Sequence, residues 1–217
     1  MRSLKEYMTE GLLDRVKNKE VNHDALIKEF LEANYDIRGS YVIKASNKGP
    51  VVDVEGYAGV ENTNITSLTN GLFEFGVVSG DFNCAVCKSL KSLEGAPKKI
   101  GGWFDCSYCK SLKTLEGAPK EVGDFFCYDC RSLKTLEGAP KEVKGSFDCR
   151  ECDSLKTLEG APQKVGGGFD CSYCKSLTSL IGCPKEVEEY FHCHGCGVKF
   201  TEEDVGKHIK VVKNIYI

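Results

Sequence analysis

The apolar positions in the second half of the chain recur with a long, fixed step. Written from a valine, one unit reads Val122-x-x-Phe125-x-Cys127-x-x-Cys130-x-x-Leu133-x-x-Leu136, with mostly polar residues in the gaps. The fuller block F-x-C-x-x-C-x-S-L-x-x-L-E-G-A-P-x-x-V-G-G stands five times between Phe82 and Phe191. Its leading cysteines, Cys84, Cys106, Cys127, Cys149, Cys171 and Cys193, are 22, 21, 22, 22 and 22 residues apart. Such a step predicts a solenoid, since a single unit cannot cover its own apolar side and stacked units can. Side chains of a strand alternate between faces, so Phe125 and Cys127 are expected inside and Phe126 and Tyr128 outside. Leu133 and Leu136 close the coil from the far side. Ala139-Pro140 turns it, with the proline where no ladder needs an N–H.

Upstream the rhythm is helical. Leu4, Tyr7, Met8, Leu12 and Val16 predict one helix, and Ala25, Leu26, Phe30 and Leu31 a second, with Asn22 as its cap. Tyr41–Lys44 reads as a strand and Asn47–Pro50 as a turn. Val51–Val54 then opens a degenerate first rung. Sliding that rung by 25 residues lays Tyr57 on Phe82, Gly59 on Cys84, Asn62 on Cys87, Ile65 on Leu90 and Leu68 on Leu93. The expected organisation is an N-terminal helical or α+β region over 1–50, a solenoid over 51–200 and a C-terminal cap over 201–217. In the cap, Thr201 and Asp204 predict a capping box, followed by a short helix to about His208 and a strand over Val211–Ile217.

This unit resembles the leucine-rich-repeat pattern L-x-x-L-x-L-x-x-N/C-x-x-L, with Asn62 at the place where that repeat carries asparagine. The short unit, with proline after the second leucine pair, is similar to the repeats of bacterial effector proteins. The resemblance covers about Val51 to Phe200. It implies an α+β leucine-rich-repeat solenoid with a single parallel sheet on the concave side and a non-helical convex side.

Composition narrows the function. Across 217 residues, 41% hydrophobic and 28% charged content is ordinary for a soluble protein, and a net charge of −3 argues against a general nucleic-acid binder. No apolar run approaches membrane-spanning length, and Met1–Glu10 lacks the apolar core of a secretory signal, so no membrane partner is expected. Thirteen cysteines, an odd number, then read as reduced thiols in a cytosol-like compartment. Six C-x-x-C pairs invite a zinc reading. Against it, the pairs keep phase with Phe and Leu, the first rung replaces them by Gly59 and Asn62, and Cys183 stands where other rungs carry alanine. Thiols as interior filler are therefore expected, with no metal and no cofactor. If a metal is held, His192-Cys193-His194-Gly-Cys196 is the place where imidazoles join thiols. No Ser/His/Asp arrangement and no paired carboxylates stand apart from the repeat, so no catalytic residues and no enzyme activity are expected.

What varies between units lies on the outward strand positions. Asp105, Tyr108, Tyr128, Asp129, Arg150, Glu151 and Tyr173 put tyrosines and an arginine among carboxylates, a composition enriched at protein interfaces. A protein partner docking on the concave face is the expectation. Residues Met1–Glu10 resemble the capsid-targeting peptide of internal head proteins in large tailed bacteriophages, and the repeat wording resembles leucine-rich-repeat proteins of such phages. That resemblance implies cleavage between Glu10 and Gly11, a place in the virion interior or the bacterial host cytoplasm, and a host or virion protein as partner. A structural internal head protein without a host target, and a zinc-binding C-x-x-C repeat protein, are the alternatives. No oligomeric state follows from the sequence.

Overall fold

The computed structural model describes residues 22–61, 63–211 and 213–217. The chain divides into two compact units, Met1–Ala33 and Asn34–Ile217. The helix expected over Leu4–Val16 lies outside the described residues. Helix α1 (His23–Asn34) starts where Asn22 predicts: its Oδ1 accepts the backbone N–H of Asp24 at 3.1 Å and of Ala25 at 3.4 Å. Leu26, Ile27, Phe30 and Leu31 form its buried face.

The second unit opens with an antiparallel hairpin of β1 (Tyr35–Ser46) and β2 (Gly49–Val60), paired from Tyr35↔Val60 to Ser46↔Gly49. The strand expected at Tyr41–Lys44 is the middle of a twelve-residue one, and Pro50 lies inside β2. Because β2 is long, it starts two rows at once. Its first half pairs in parallel with β3 (Glu74–Val78), and Ala58-Gly59 pairs with β4 (Phe82–Asn83). The register places Ala58, not Tyr57, on Phe82. Ala58 is fully buried there, and Tyr57 turns outward beneath the Arg38 guanidinium, 5.0 Å from its ring centre. A small side chain fits the end of the core, where a tyrosine would have to bury its hydroxyl. Ile65 and Leu68 are buried as the 25-residue slide expects, while Asn62 is not among the described residues.

From β2 onward the coil is a parallel β-solenoid of about seven turns. β5 (Lys99–Ile100) joins β3, and β6 (Phe104–Asp105) joins β4. Next in the long sheet comes β7 (Phe125–Phe126). A second sheet begins at β8 (Glu142–Val143), and β9 (Phe147–Asp148) extends the first. β10 (Lys164–Val165), β11 (Phe169–Asp170), β12 (Glu186–Val187) and β13 (Tyr190–His192) continue both in alternation. The single sheet expected from the repeat is therefore two, of eleven and four strands. The second sheet runs through the valine ahead of each phenylalanine: Val143, Val165 and Val187 point inward with at most 2% exposure, and their backbones pair in parallel. No helix interrupts the described residues between 63 and 200.

The C-terminal segment is more than a cover. Helix α2 (Glu202–Gly206) has the expected capping box, with Thr201 Oγ1 accepting from Asp204 N at 3.2 Å and Thr201 N donating to Asp204 Oδ2 at 3.0 Å. After it, β14 (Lys210–Val211) pairs with β12 and β15 (Asn214–Tyr216) with β13. The segment is one further coil that extends both sheets.

Inside, each rung sets its apolar residues on the same residues of the next. Phe82, Phe104, Phe125, Phe147, Phe169 and Phe191 form a column with ring centres 5.1–5.8 Å apart. The first eleven cysteines from Cys84 to Cys183 are buried free thiols, as is Cys193, and Cys196 is half-buried. In five of the six pairs the second cysteine also has a polar task. Cys109, Cys130, Cys152, Cys174 and Cys196 each donate S–H, at 3.2–3.3 Å, to the carbonyl of the first cysteine one rung earlier. That carbonyl sits at the mouth of a tight turn, and leaving it bare in the core is unfavourable.

First cysteines can donate too, as Cys106 does to Phe126 O and Cys171 to His192 O, but the Cys127–Cys130 pair separates packing from hydrogen bonding. Cys127 and Cys130 are equally buried, but only Cys130 donates such a bond, to Cys106 O at 3.2 Å. Cys130→Ala should destabilise the protein by about 1 kcal/mol more than Cys127→Ala, read from chemical denaturation midpoints at equal m-values.

Candidate functional site

Each C-x-x-C closes a turn whose third residue is left-handed. Val86, Tyr108, Asp129, Glu151 and Tyr173 have φ of +52° to +63°, and Gly195 occupies the place in the last rung. For a residue with a Cβ this conformation costs about 1–2 kcal/mol. The ladder holds it there. The N–H of each of the five donates to a carbonyl in the following rung, as Tyr108 N does to Tyr128 O and Glu151 N to Ser172 O, both at 2.9 Å.

This turn decides where the sequence-predicted residues stand. Tyr128 and Arg150 are the first residues of the turn that follows the short strand, and Tyr108, Asp129, Glu151 and Tyr173 are the left-handed residues of the same turn. Tyr108 meets Tyr128 edge-to-face with ring centres 5.0 Å apart, and the Arg150 guanidinium lies 5.0 Å from the Tyr128 ring centre. These three residues form one contiguous patch. Tyr173 is half-exposed and belongs to a second group, packing on His194 at 4.6 Å. Glu151 is exposed. Asp129 does not face outward: it is 5% exposed and held by Arg131 Nε at 2.5 Å, so it anchors the turn and is closed to a partner. The Glu10–Gly11 bond lies outside the described residues.

Asp105, Phe126, Asp148 and Asp170 follow one another along the adjacent outward column, so Asp148 and Asp170 are neighbours and Asp105 lies beyond the phenylalanine. Burial pushes the Asp148 carboxyl up to about 6, with Asp170 and Asp105 adding to the rise, against the pull of the Arg150 backbone N–H and guanidinium. Along that column His192 Nδ1 lies 3.6 Å from Asp170 Oδ2, and its ring sits 4.2 Å from Tyr216. Ser172 Oγ and His194 Nδ1 are 3.1 Å apart. The matching Ser107 Oγ is buried without a partner, because the next rung offers Tyr128 in place of a histidine.

Two clusters went unread in the sequence. Trp103 sits between Tyr57 and Phe126, with ring centres 6.4 and 6.5 Å away. The His192, His194, Tyr190 and Tyr216 rings form the other. Trp103 falls in the extra residue ahead of the phenylalanine, where the period predicts a loop. Tyr216 belongs to a coil that lacks the repeat's wording.

Most of the thiols are poorly disposed to chemistry; Cys87 and Cys196 are exceptions, lowered by side-chain hydrogen bonding with Cys109 and Cys171. Burial raises Cys84, Cys106, Cys127 and Cys149, and pushes Cys183 up to about 11, so these remain protonated at neutral pH. In the stretch His192–Cys196, strand alternation turns both imidazoles to the outward face and Cys193 into the core. Among the described residues no three His, Cys, Asp or Glu side chains gather in a set able to hold a metal ion. No described helix is long and apolar enough to cross a membrane. No protein-family model, curated protein or solved structure matches the chain.

Asp148 makes stability depend on pH in a predictable direction. Its folded-state value near 6 lies above the ordinary 3.8, so the folded protein binds more protons between these values and this residue's contribution declines as pH rises from about 4 to 6. Asp148→Asn should therefore raise the melting temperature at pH 7.5, by an amount corresponding to at most about 3 kcal/mol, and have lost that advantage by about pH 4.

Proposed function

We propose that the chain is a leucine-rich-repeat module of the short, non-helical kind that docks a protein partner on the outward face of its long sheet. The observation that carries this reading is the contiguous Tyr108–Tyr128–Arg150 patch, continued along the same face by Tyr173 and His194. Tyrosine and arginine are the side chains that most often dominate binding energy at interfaces, since they combine large area with few rotatable bonds or a planar fork. Their backbone is also tied into the ladder, through Tyr108 N–H to Tyr128 O and Asp129 N–H to Arg150 O, so little entropy is lost when a partner arrives. Solenoid architecture favours the same use, because stacked rungs present an extended surface rather than a closed pocket.

In this reading the partner is a host or virion protein. The Met1–Glu10 resemblance supports delivery to a phage head with trimming at Glu10–Gly11. Intact-mass spectrometry of the protein recovered from purified virions should find a chain beginning at Gly11; an uncut chain, or its absence from virions, removes the packaging part. For the docking part, affinity capture from host and virion extracts should compare wild type with Tyr128→Ala/Arg150→Ala. Recovery of a specific partner should fall at least about tenfold in the double variant. Equal recovery of every partner by both proteins removes the proposed face.

A further inference from the structure

The outward face carries more negative charge than its architecture uses. In four rungs the residue after the inward phenylalanine accepts the backbone N–H two residues on. Asn83 Oδ1 does so from Ala85 and Asp105 Oδ1 from Ser107, both at 2.8 Å; Asp148 Oδ1 does so from Arg150 at 3.1 Å and Asp170 Oδ1 from Ser172 at 2.8 Å. Asn83 makes the bond with a neutral carboxamide at the same length. The turn therefore needs no charge there, and the rung of Phe126 forms the same left-handed turn with no side-chain oxygen at all.

That surplus charge is unfavourable for the fold alone. Asp148 and Asp170 stand directly opposite each other in the β9–β11 pairing, and their side chains are each only 15% exposed. Like charges facing across strands repel, more so where water is partly excluded. Compensation is thin. Arg150 Nε lies 3.3 Å from Asp148 Oδ2 but is shared with the Tyr128 ring, and Asp170 has only the His192 ring at 3.6 Å. Asp105 forms no ion pair among the described residues.

We propose that the Asp148–Asp170 pair, with Asp105 beyond Phe126 in the same column and Tyr108, Tyr128 and Tyr173 alongside, receives a lysine- or arginine-bearing segment of the protein partner. This rests on the docking face proposed above and adds the chemistry of what docks. A cationic side chain placed along the column removes the Asp148–Asp170 repulsion. Its partial desolvation is offset by two half-buried carboxylates and by neighbouring aromatic faces that attract cations. Charge of one sign along the column also steers a basic segment toward the face before contact.

The test uses the full chain and a fluorescein-labelled decalysine peptide, with labelled decaglutamate as control, in fluorescence anisotropy at low ionic strength. The compared variant is Asp105→Asn/Asp148→Asn/Asp170→Asn. Asn83 already makes the turn with an amide, so this variant should melt no lower than wild type. Decalysine should bind wild type at least tenfold more tightly than the variant, and decaglutamate should bind neither. Wild-type-like decalysine binding by the variant places the cation elsewhere, for instance on the Glu94, Glu116, Glu137 and Glu159 column, and overturns the proposal; so does absence of binding to wild type. If the triple variant melts lower, Asp170→Asn alone decides, with at least a threefold weakening expected and none overturning it. Partner recovery that depends on Tyr128 and Arg150 but survives the asparagine changes would keep the docking face and reject its cationic specificity. Aspartate-dependent decalysine binding, with partner recovery indifferent to Tyr128 and Arg150, would do the reverse.

Discussion

Every rung depends on lying in register on its neighbour. A two-residue strand has almost no stability alone, and one turn of this coil leaves a whole face of phenylalanine, cysteine and leucine open. Stacked, the same residues meet their own kind. Phe125 lies on Phe104 and Phe147 with ring centres 5.1 and 5.2 Å away, and the N–H groups of Phe125, Cys127, Asp129 and Leu136 all reach the next rung's backbone. The thiols follow from this geometry. Their site is narrow and dry, and in five of the six pairs the second must also satisfy a carbonyl one rung back, a task suited to a small side chain with a weak donor.

Strict stacking also constrains the surface. Whatever occupies an outward position is repeated a few ångströms away, so a run of one charge accumulates repulsion, and a run of rings accumulates contact area. The face shows both, in Asp148 opposite Asp170 and in Tyr108 against Tyr128. The left-handed turn residues add a local conformational cost at Tyr108, Glu151 and Tyr173. Rungs that could carry glycine there, as Gly195 does, carry large side chains instead. A face that is costlier than its fold demands is the physical ground for reading it as the working surface.

Much of this was legible in the residues. Strand alternation placed Phe125 and Cys127 inside and Phe126 and Tyr128 outside, and the Asn22 and Thr201 caps were readable because a cap is a local bond between near neighbours. Asp129 was misread as outward. Period-two alternation stops at the left-handed turn; Tyr108 and Tyr173 share that conformation and stay exposed, so it is the ion pair with Arg131 that draws Asp129 in. Gly195 at the same place in the last rung was the one visible signal of that conformation. The slide of the first rung failed by one residue at Ala58, since leucine spacing says nothing about which member of a long strand pairs with Phe82.

The amino-acid order by itself determined that this chain coils, which side chains fill it and where the two described helices begin, because each of these follows from a period or from contacts within a few residues. Only the tertiary structure decided that Val143, Val165 and Val187 run in a second sheet, that the last residues form another coil, and which tyrosines meet. Those outcomes depend on which backbone groups of distant rungs come into reach of each other, and that is settled only when the coils have stacked.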